Sequence, residues 1–598
     1  MTDAALDEIR DLAERGEFLR AYDDATTLLD HRPGDIELEY VAVSALARSG
    51  ATDQAEARFV ELGLLHGHTR GATGSLAQDI DALYARIAKD RALGATGERR
   101  TELAQIAATR YEHAFARHGG AYPCVNAATM WLVAGDEQRA VERATRAMEL
   151  APDDDYWSVV TRAEAAVLRR DADLAAELVT EAADQSAGAH AARASTCRQL
   201  RLICSLVGVD RSLIEPLRNP PVVHYAGHRI APEHATGRFP ADEEARVAAD
   251  VADRLERTHP AAGFGSLASG GDVLVAEALL ARGAELHVLL PFAVEDFVKV
   301  SVADGGDGWV RRMRACLDRA TSVTYTTDGP FIGDDVSFTL CSAVAMGDAM
   351  RHARQLEADA RQLVVWDGDT SVAAAAAGTA SDVRTWATTG RPTDVVDSGR
   401  RNAPSSWSAS AHERPARLLR AVLFADIAGF SSLDDLQMPA FMQAVMGNLA
   451  KRIEDFGDGV LLRRTWGDGI HLAFDSVDTA ASCAVALQRG MAAIDLRAGG
   501  LGSLRGLRVG AHVGPVYEET DPITGQLSYM GANVTRAARI EPGTPVGEVY
   551  VTHPFAAIAE LEGQGRWWCQ YVGQVPAAKD HGRLPMYLLR PSTDSRDA

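Results

Sequence analysis

At Pro220 the hydrophobic rhythm of the chain changes, and one domain cannot carry both rhythms. Residues 1–215 are rich in Ala, Leu, Glu and Arg and place apolar residues at helical spacing throughout. Beyond Pro220, strand-like runs such as "PVVHYAG", "ELHVLLPF", "SVTYTT" and "RQLVVWDG" alternate with helical stretches such as "ADEEARVAADVADRLERTH". Strands spaced by helices predict a doubly wound, mostly parallel sheet over residues 218–394. The chain has 598 residues, a length that on its own calls for about three or four domains.

Within the helical part a short signal recurs: a small or acidic turn residue, then alanines at helical spacing. It appears in "RGEFLRAYDDATTLL", "SGATDQAEARFVEL", "AGDEQRAVERATRAM" and "RDADLAAELVTEAA". Gly16 and Gly50 are 34 residues apart, and Gly135 and Asp171 are 36 apart. That period resembles helix-turn-helix repeats of the tetratricopeptide kind, which stack into solenoids with a concave surface for a protein partner. The stretches "GAYPCVNAATMWLVAGD" and "DDYWSVVTRAEA" also resemble the helical TRAF-binding region of some kinases. A plain helical scaffold or a dimer support fits the same pattern.

Charge and cysteine usage narrow the function. A net charge of −22 opposes broad binding to nucleic acid or to an anionic membrane, so neither partner is expected. The seven cysteines form no C-x-x-C pair, which fits reduced thiols in the cytoplasm. The acidic, amphipathic start "MTDAALDEIRDLAERGEF" lacks the basic and apolar regions of a signal peptide.

In the α/β region, Gly263, Gly265, Gly270 and Gly271 lead into Asp272 and a helix, a placement that can offer N–H groups to a phosphate. The run "GSLASGGDVLVAEALLARGAELHVLLPF" resembles the SLOG group of Rossmann-like domains. The resemblance implies a nucleotide-like effector, with Gly227, His228, Arg229, Gly265, Ser269, Gly270, Gly271 and Asp272 as candidate contacts. A turn that serves packing alone is the other reading. Residues 395–416, rich in Ser, Pro and Arg, read as a linker to a last domain spanning 417–598.

That last domain carries the chemistry. In "RAVLFADIAGFSSL" an apolar run ends in Asp426 and opens into a small-residue turn. In "GVLLRRTWGDGIHLAF" the alternation breaks at Gly-Asp-Gly, a hairpin signal that puts Asp468 at the tip. Two strand-end carboxylates suit two magnesium ions, which take oxygen ligands, waters and substrate phosphates. With "LRVGAHVGPV" and "YMGANVTRAARIEPGTPVGEVYVT", these motifs resemble the class III adenylyl/guanylyl cyclase catalytic domain.

The resemblance implies a ferredoxin-like α+β core, and a homodimer with sites built across its interface. It implies metal binding (two Mg2+ or Mn2+) by Asp426, Asp468 and the Ile427 carbonyl, and phosphate binding by the turn Gly429, Phe430 and Ser431. Arg539 would stabilise charge on the transferring phosphorus, Lys579 would contact the phosphates, and Thr535 stands where the family usually has a ribose-orienting asparagine. The base-selecting positions hold Arg464 and Ser528, where adenine-specific members have lysine and aspartate. Arginine donates to adenine, guanine or pyrimidine acceptors alike, so these two residues leave the base open. The implied activity is formation of a cyclic nucleotide, cyclic AMP from ATP first, regulated by the N-terminal domains. GTP, a pyrimidine triphosphate, or a non-catalytic nucleotide-binding scaffold are the alternatives.

Overall fold

The computed structural model describes all residues except 1, 153–154, 233–236, 328, 370–376, 400–416, 577, 579–581 and 593–598. The helical expectation for the first part holds, from Thr2–Arg15 through His190–Val207. The turn signals fall between helices. Gly16, Gly50 and Gly135 adopt φ of 92°, 83° and 86°, a region glycine enters without steric cost. Asp35, Asp136 and Asp171 cap the helices that follow them by accepting backbone N–H bonds. Alanines such as Ala42, Ala45, Ala144 and Ala175 are buried along the facing sides, which lets helices pack closely.

The middle region forms a six-stranded parallel sheet from β1 (Val222–Gly227), β2 (Ala262–Gly265), β3 (Glu285–Leu290), β4 (Ser322–Tyr325), β5 (Ala360–Trp366) and β6 (Thr393–Asp397). The strand order is β4-β3-β2-β1-β5-β6, so the winding reverses between β1 and β5. Strand β6 runs past residue 394, into the stretch the sequence assigned to a linker. The rest of that stretch, 400–416, lies outside the described residues.

The last region is an eight-stranded sheet: β7 (Arg417–Ala428), β8 (Val460–Trp466), β9 (Gly469–Phe474), β10 (Gly506–Thr520), β11 (Leu527–Met530), β12 (Val549–Thr552), β13 (Trp567–Pro576) and β14 (Arg583–Pro591). Its core strands lie in the order β10-β7-β9-β8, all antiparallel, with helices Gly447–Glu454 and Val477–Ala492 as the two crossovers. This is the βαββαβ arrangement of a ferredoxin-like core. The helix expected between the two acidic motifs is present, with a π-helical stretch at Phe441–Met446.

The three regions touch directly. Helix Val336–Gln355 packs on the middle sheet and on helix His553–Gly563 of the last region, and so acts as a bridging helix. Asp348 on it accepts from His553 Nε2 at 2.9 Å, and Arg354 pairs with Glu560 at 2.7 Å. Gly347 permits the contact, because a Cβ there would overlap the Ala557 carbonyl. The first helices meet β13: Tyr571 Oη donates to Asp23 at 2.6 Å and Trp568 Nε1 to the Gly50 carbonyl at 3.3 Å. Gly347→Val is therefore expected to destabilise the chain by about 1–3 kcal/mol through overpacking. Thermal unfolding of the full chain checks it, and an unchanged midpoint would contradict the close contact.

Candidate functional site

Strand pairing sets the first acid. Asp426 is one of the last residues of β7 and lies opposite Arg508 of β10, with which it forms an ion pair. The β8–β9 hairpin closes with Trp466 opposite Gly469, so Gly467 and Asp468 make a two-residue turn, with Gly467 at φ 70°. Asp468 thereby reaches Asp426. Burial, then the Asp426 charge, then a hydrogen bond with Asp426 raise the Asp468 carboxyl above its ordinary range. Two carboxylates pressed together call for a cation. An all-oxygen donor set with Ile427 buried beside it suits Mg2+ or Mn2+, not a softer metal.

A third acid was not foreseen. Glu541 lies 3.0 Å from Arg508 Nε, close enough for an ion pair but not aligned for a hydrogen bond. Burial raises its carboxyl to about 7. Arg508 opposes that rise, and the charges of Asp426 and Asp468 add to it. Asp426 and Glu541 thus share one guanidinium at the end of β7, and its charge also acts on Asp468. The register that brings Arg508 opposite Asp426 is a long-range pairing, and the only sequence hint of Glu541 was its place just after "TRAARI".

Gly429 follows the acid at φ 97°, and a Cβ there would come within 2.5 Å of the Ser503 carbonyl, so glycine is required. Phe430 and Ser431 continue into a single 3-10 turn, with the Phe430 ring 4.9 Å from that of Phe441. Arg539 and Thr535 sit one turn apart on helix Ala532–Ile540 and so share a face. Arg539 Nε is buried without a hydrogen-bond partner among the described residues, while Thr535 Oγ1 donates to the Gly531 carbonyl at 3.4 Å. Arg464 and Ser528 converge elsewhere. Arg464 Nη2 donates to the carbonyl of Leu527 at 2.7 Å, immediately before the buried Ser528. Lys579 lies outside the described residues.

The nearby histidines are core groups. His512 is buried between Thr552 Oγ1 at 2.8 Å and Asn533 Oδ1 at 2.9 Å, and burial lowers it to about 3. His471 stacks on Phe424 at 4.3 Å, and burial lowers it to about 4.

In the middle sheet the glycine loop is used internally. Gly271 N–H donates to the His228 carbonyl at 3.0 Å, Ser269 N–H to the Ser301 carbonyl at 3.0 Å, and Ala268 N–H to Asp272 at 3.1 Å. Gly227 and Gly271 pack backbone to backbone, since a Cβ on either would lie 2.7 Å from the other's Cα. Gly265 lies against Tyr225. Arg229 pairs with Asp304 at 2.6 Å, and His228 with Asp367 at 3.0 Å. Burial acts to raise the Asp367 carboxyl, but hydrogen bonds from His228 and Arg238 hold it well below its usual range. Among the described residues, Tyr225 Oη, Ser266 Oγ and Asp272 Oδ1 remain without a hydrogen bond in this neighbourhood, with burial raising Asp272 to about 7.

Comparison with known proteins follows this division. Residues 5–131 match the family model described as Tetratricopeptide Repeats-Sensor. Residues 420–590 match the one described as Adenylate and Guanylate cyclase catalytic domain. A curated relative named "Putative adenylate cyclase 3", from Rhizobium meliloti (strain 1021), is 33% identical over 147 residues, 24% of this chain and 23% of that protein's length. Among solved structures, the adenylyl cyclase CyaB from P. aeruginosa is 18% identical, with 30% of this chain and 97% of that chain covered and a TM-score of 0.27. The guanylate cyclase domain of RhGC from Catenaria anguillulae, in complex with GTP, is 18% identical over 29% of this chain and 97% of that chain, with a TM-score of 0.26. Residues 420–590 of the chain belong to the adenylate and guanylate cyclase catalytic-domain family.

Proposed function

We propose that the chain is a nucleotidyl cyclase that turns a nucleoside triphosphate, ATP in the first instance, into its 3′,5′-cyclic monophosphate and pyrophosphate. The observation that carries this reading is that the register of β7 and the β8–β9 turn bring Asp426 and Asp468 near enough for the Asp426 charge to raise the Asp468 carboxyl. In the reaction a bond forms from the ribose 3′-oxygen to the α-phosphorus, the bond to pyrophosphate breaks, and the hydroxyl proton leaves. Two Mg2+ or Mn2+ ions held by Asp426, Asp468 and the Ile427 carbonyl would ease loss of that proton and offset the charge of pyrophosphate. The glycine turn Gly429–Ser431 lets the backbone approach the β and γ phosphates. Arg539 donates to the phosphoryl oxygens as charge builds. Thr535 orients the ribose, Lys579 contacts the phosphates, and Arg464 with Ser528 faces the base.

The catalytic unit is a homodimer in this reading. Trp466, Leu527 and Met530 are exposed apolar side chains on the β8–β9 and β11 edge, where a second copy would cover them. Residues at Gly227–Arg229 and Gly265–Asp272 hold a nucleotide-like effector at the reversal of strand order. The unpartnered Tyr225, Ser266 and Asp272 atoms support that placement. Regulation would pass through the bridging helix and the Asp23–Tyr571 contact, which join the domains without the linker.

The test is incubation of full-length protein with Mg2+ or Mn2+ and each of the four ribonucleoside triphosphates separately, with products read by mass spectrometry. Cyclic AMP as the main product supports the full reading. Cyclic GMP or a cyclic pyrimidine nucleotide keeps the reaction and corrects the base. No product from any triphosphate, with or without candidate effectors, would favour a nucleotide-binding scaffold. No helix among the described residues is long and apolar enough to cross a membrane.

A further inference from the structure

Away from both sites, three side chains with nitrogen and oxygen donors meet under the middle sheet. Glu285 and His287 are two residues apart on β3 and so point to the same face. His352 comes from the last turn of the bridging helix. One donor atom from each lies within 4.8 Å of the other two. Both imidazole Nε2 atoms face the same Glu285 oxygen, His287 at 3.3 Å and His352 at 3.8 Å.

Ordinary hydrogen bonding explains half of this arrangement. Glu285 can accept from His287, but His352 Nε2 is buried and has no hydrogen-bond partner among the described residues. An imidazole nitrogen withdrawn from water without a partner is costly, and a shared cation would satisfy it. The remaining geometry is also that of a ligand set. His287 Nδ1 is tied to Ser322 Oγ at 2.8 Å, which fixes the ring with Nε2 toward the cluster. The His287 ring stacks on Phe264 at 4.3 Å, and the His352 ring lies 5.3 Å from it. Donors around a tetrahedral zinc, at bonds of ~2.1 Å, sit about 3.4 Å apart, so the three atoms need move little.

We propose that Glu285, His287 and His352 bind one divalent transition-metal ion of the zinc class. Two imidazoles and one carboxylate favour such an ion over magnesium, which prefers all-oxygen sites. Water or a further side chain would take the fourth position of a tetrahedral ion. Glu17 and His190 lie within electrostatic reach of the cluster, and a small cavity lined by Gly16, Ala191 and His352 opens beside it. The ion would tie β3 to the bridging helix about one turn from Asp348, the residue that holds His553 of the cyclase domain.

The experiment strips full-length protein with a chelator, adds Zn2+ alone, and measures bound metal by mass spectrometry together with the thermal midpoint. The expected result is one zinc per chain and a raised midpoint, with affinity reduced on the order of 100-fold in His352→Ala and in Glu285→Gln, since each removes a ligand. Circular dichroism identifies a variant that has merely failed to fold, and Glu285→Gln keeps side-chain volume for that case. Asp426→Asn should retain the zinc, which separates this site from the cyclase acids. Absence of stoichiometric zinc in the wild-type chain would overturn the proposal, as would folded His352→Ala and Glu285→Gln variants that bind it as tightly.

Discussion

Asp426→Asn is expected to lower cyclic-nucleotide formation by about a thousandfold or more. The substitution keeps the shape of the side chain and removes one unit of charge from the place where Asp426 and Asp468 meet. Metal-assisted stabilisation of a phosphoryl transition state amounts to several kcal/mol, and each ~1.4 kcal/mol is a decade in rate. Arg508 keeps an oxygen partner in the amide, so the local fold should change little. Two readouts separate loss of chemistry from loss of structure. The thermal midpoint should hold within a few degrees. Binding of a non-hydrolysable triphosphate should tighten with Mn2+ in the wild type and should not tighten in the variant. A variant that keeps a tenth of the wild-type rate would remove Asp426 from the reaction.

The acids were legible because each is announced locally. A strand-end aspartate before Ile-Ala-Gly-Phe and an aspartate inside Gly-Asp-Gly both follow from turn chemistry, which short stretches encode. Arg508 and Glu541 were not legible for the opposite reason. Their place at the site depends on the register of β7 against β10 and on where helix Ala532–Ile540 ends over Gly510, and both are long-range outcomes. The glycine loop was read from its local signal as a set of N–H groups for a phosphate, and its contacts with the protein's own backbone depend on long-range packing that the signal does not report. Gly227 and Gly271 are glycines because helix and strand backbones touch, and the loop N–H groups of Ala268, Ser269 and Gly271 are used inside the protein. Strand β6 was missed because "TDVVD" is short and half-exposed at a sheet edge, with a weak apolar signal. The contacts of Asp23 with Tyr571 and of Asp348 with His553 join residues hundreds of positions apart, which no periodicity reports.

Arg539→Ala is expected to cost about 100- to 1000-fold in turnover, the usual price of one donor to a developing oxyanion. Arg539→Lys should recover little, because an ammonium on a flexible stem does not reproduce a planar fork. Among the described residues the buried Arg539 Nε has no hydrogen-bond partner, so part of the guanidinium's hydrogen bonding is left for a ligand in this reading. The stronger test combines the two predictions. Asp426 stands at the end of β7, while Arg539 stands on helix Ala532–Ile540. If one site takes Asp426 from one copy and Arg539 from its partner, a mixed dimer of Asp426→Asn and Arg539→Ala chains has one site intact and one doubly broken. Random exchange at equal amounts then restores about a quarter of wild-type activity from two nearly inactive proteins, by the two-fold symmetry of such a dimer. If each site lies within one chain, every site in the mixture carries one lesion and activity stays at the level of the separate variants. Recovery would thus establish both the dimer and the division of labour within it, and its absence after proven subunit exchange would place Arg539 and Asp426 in the same copy's site.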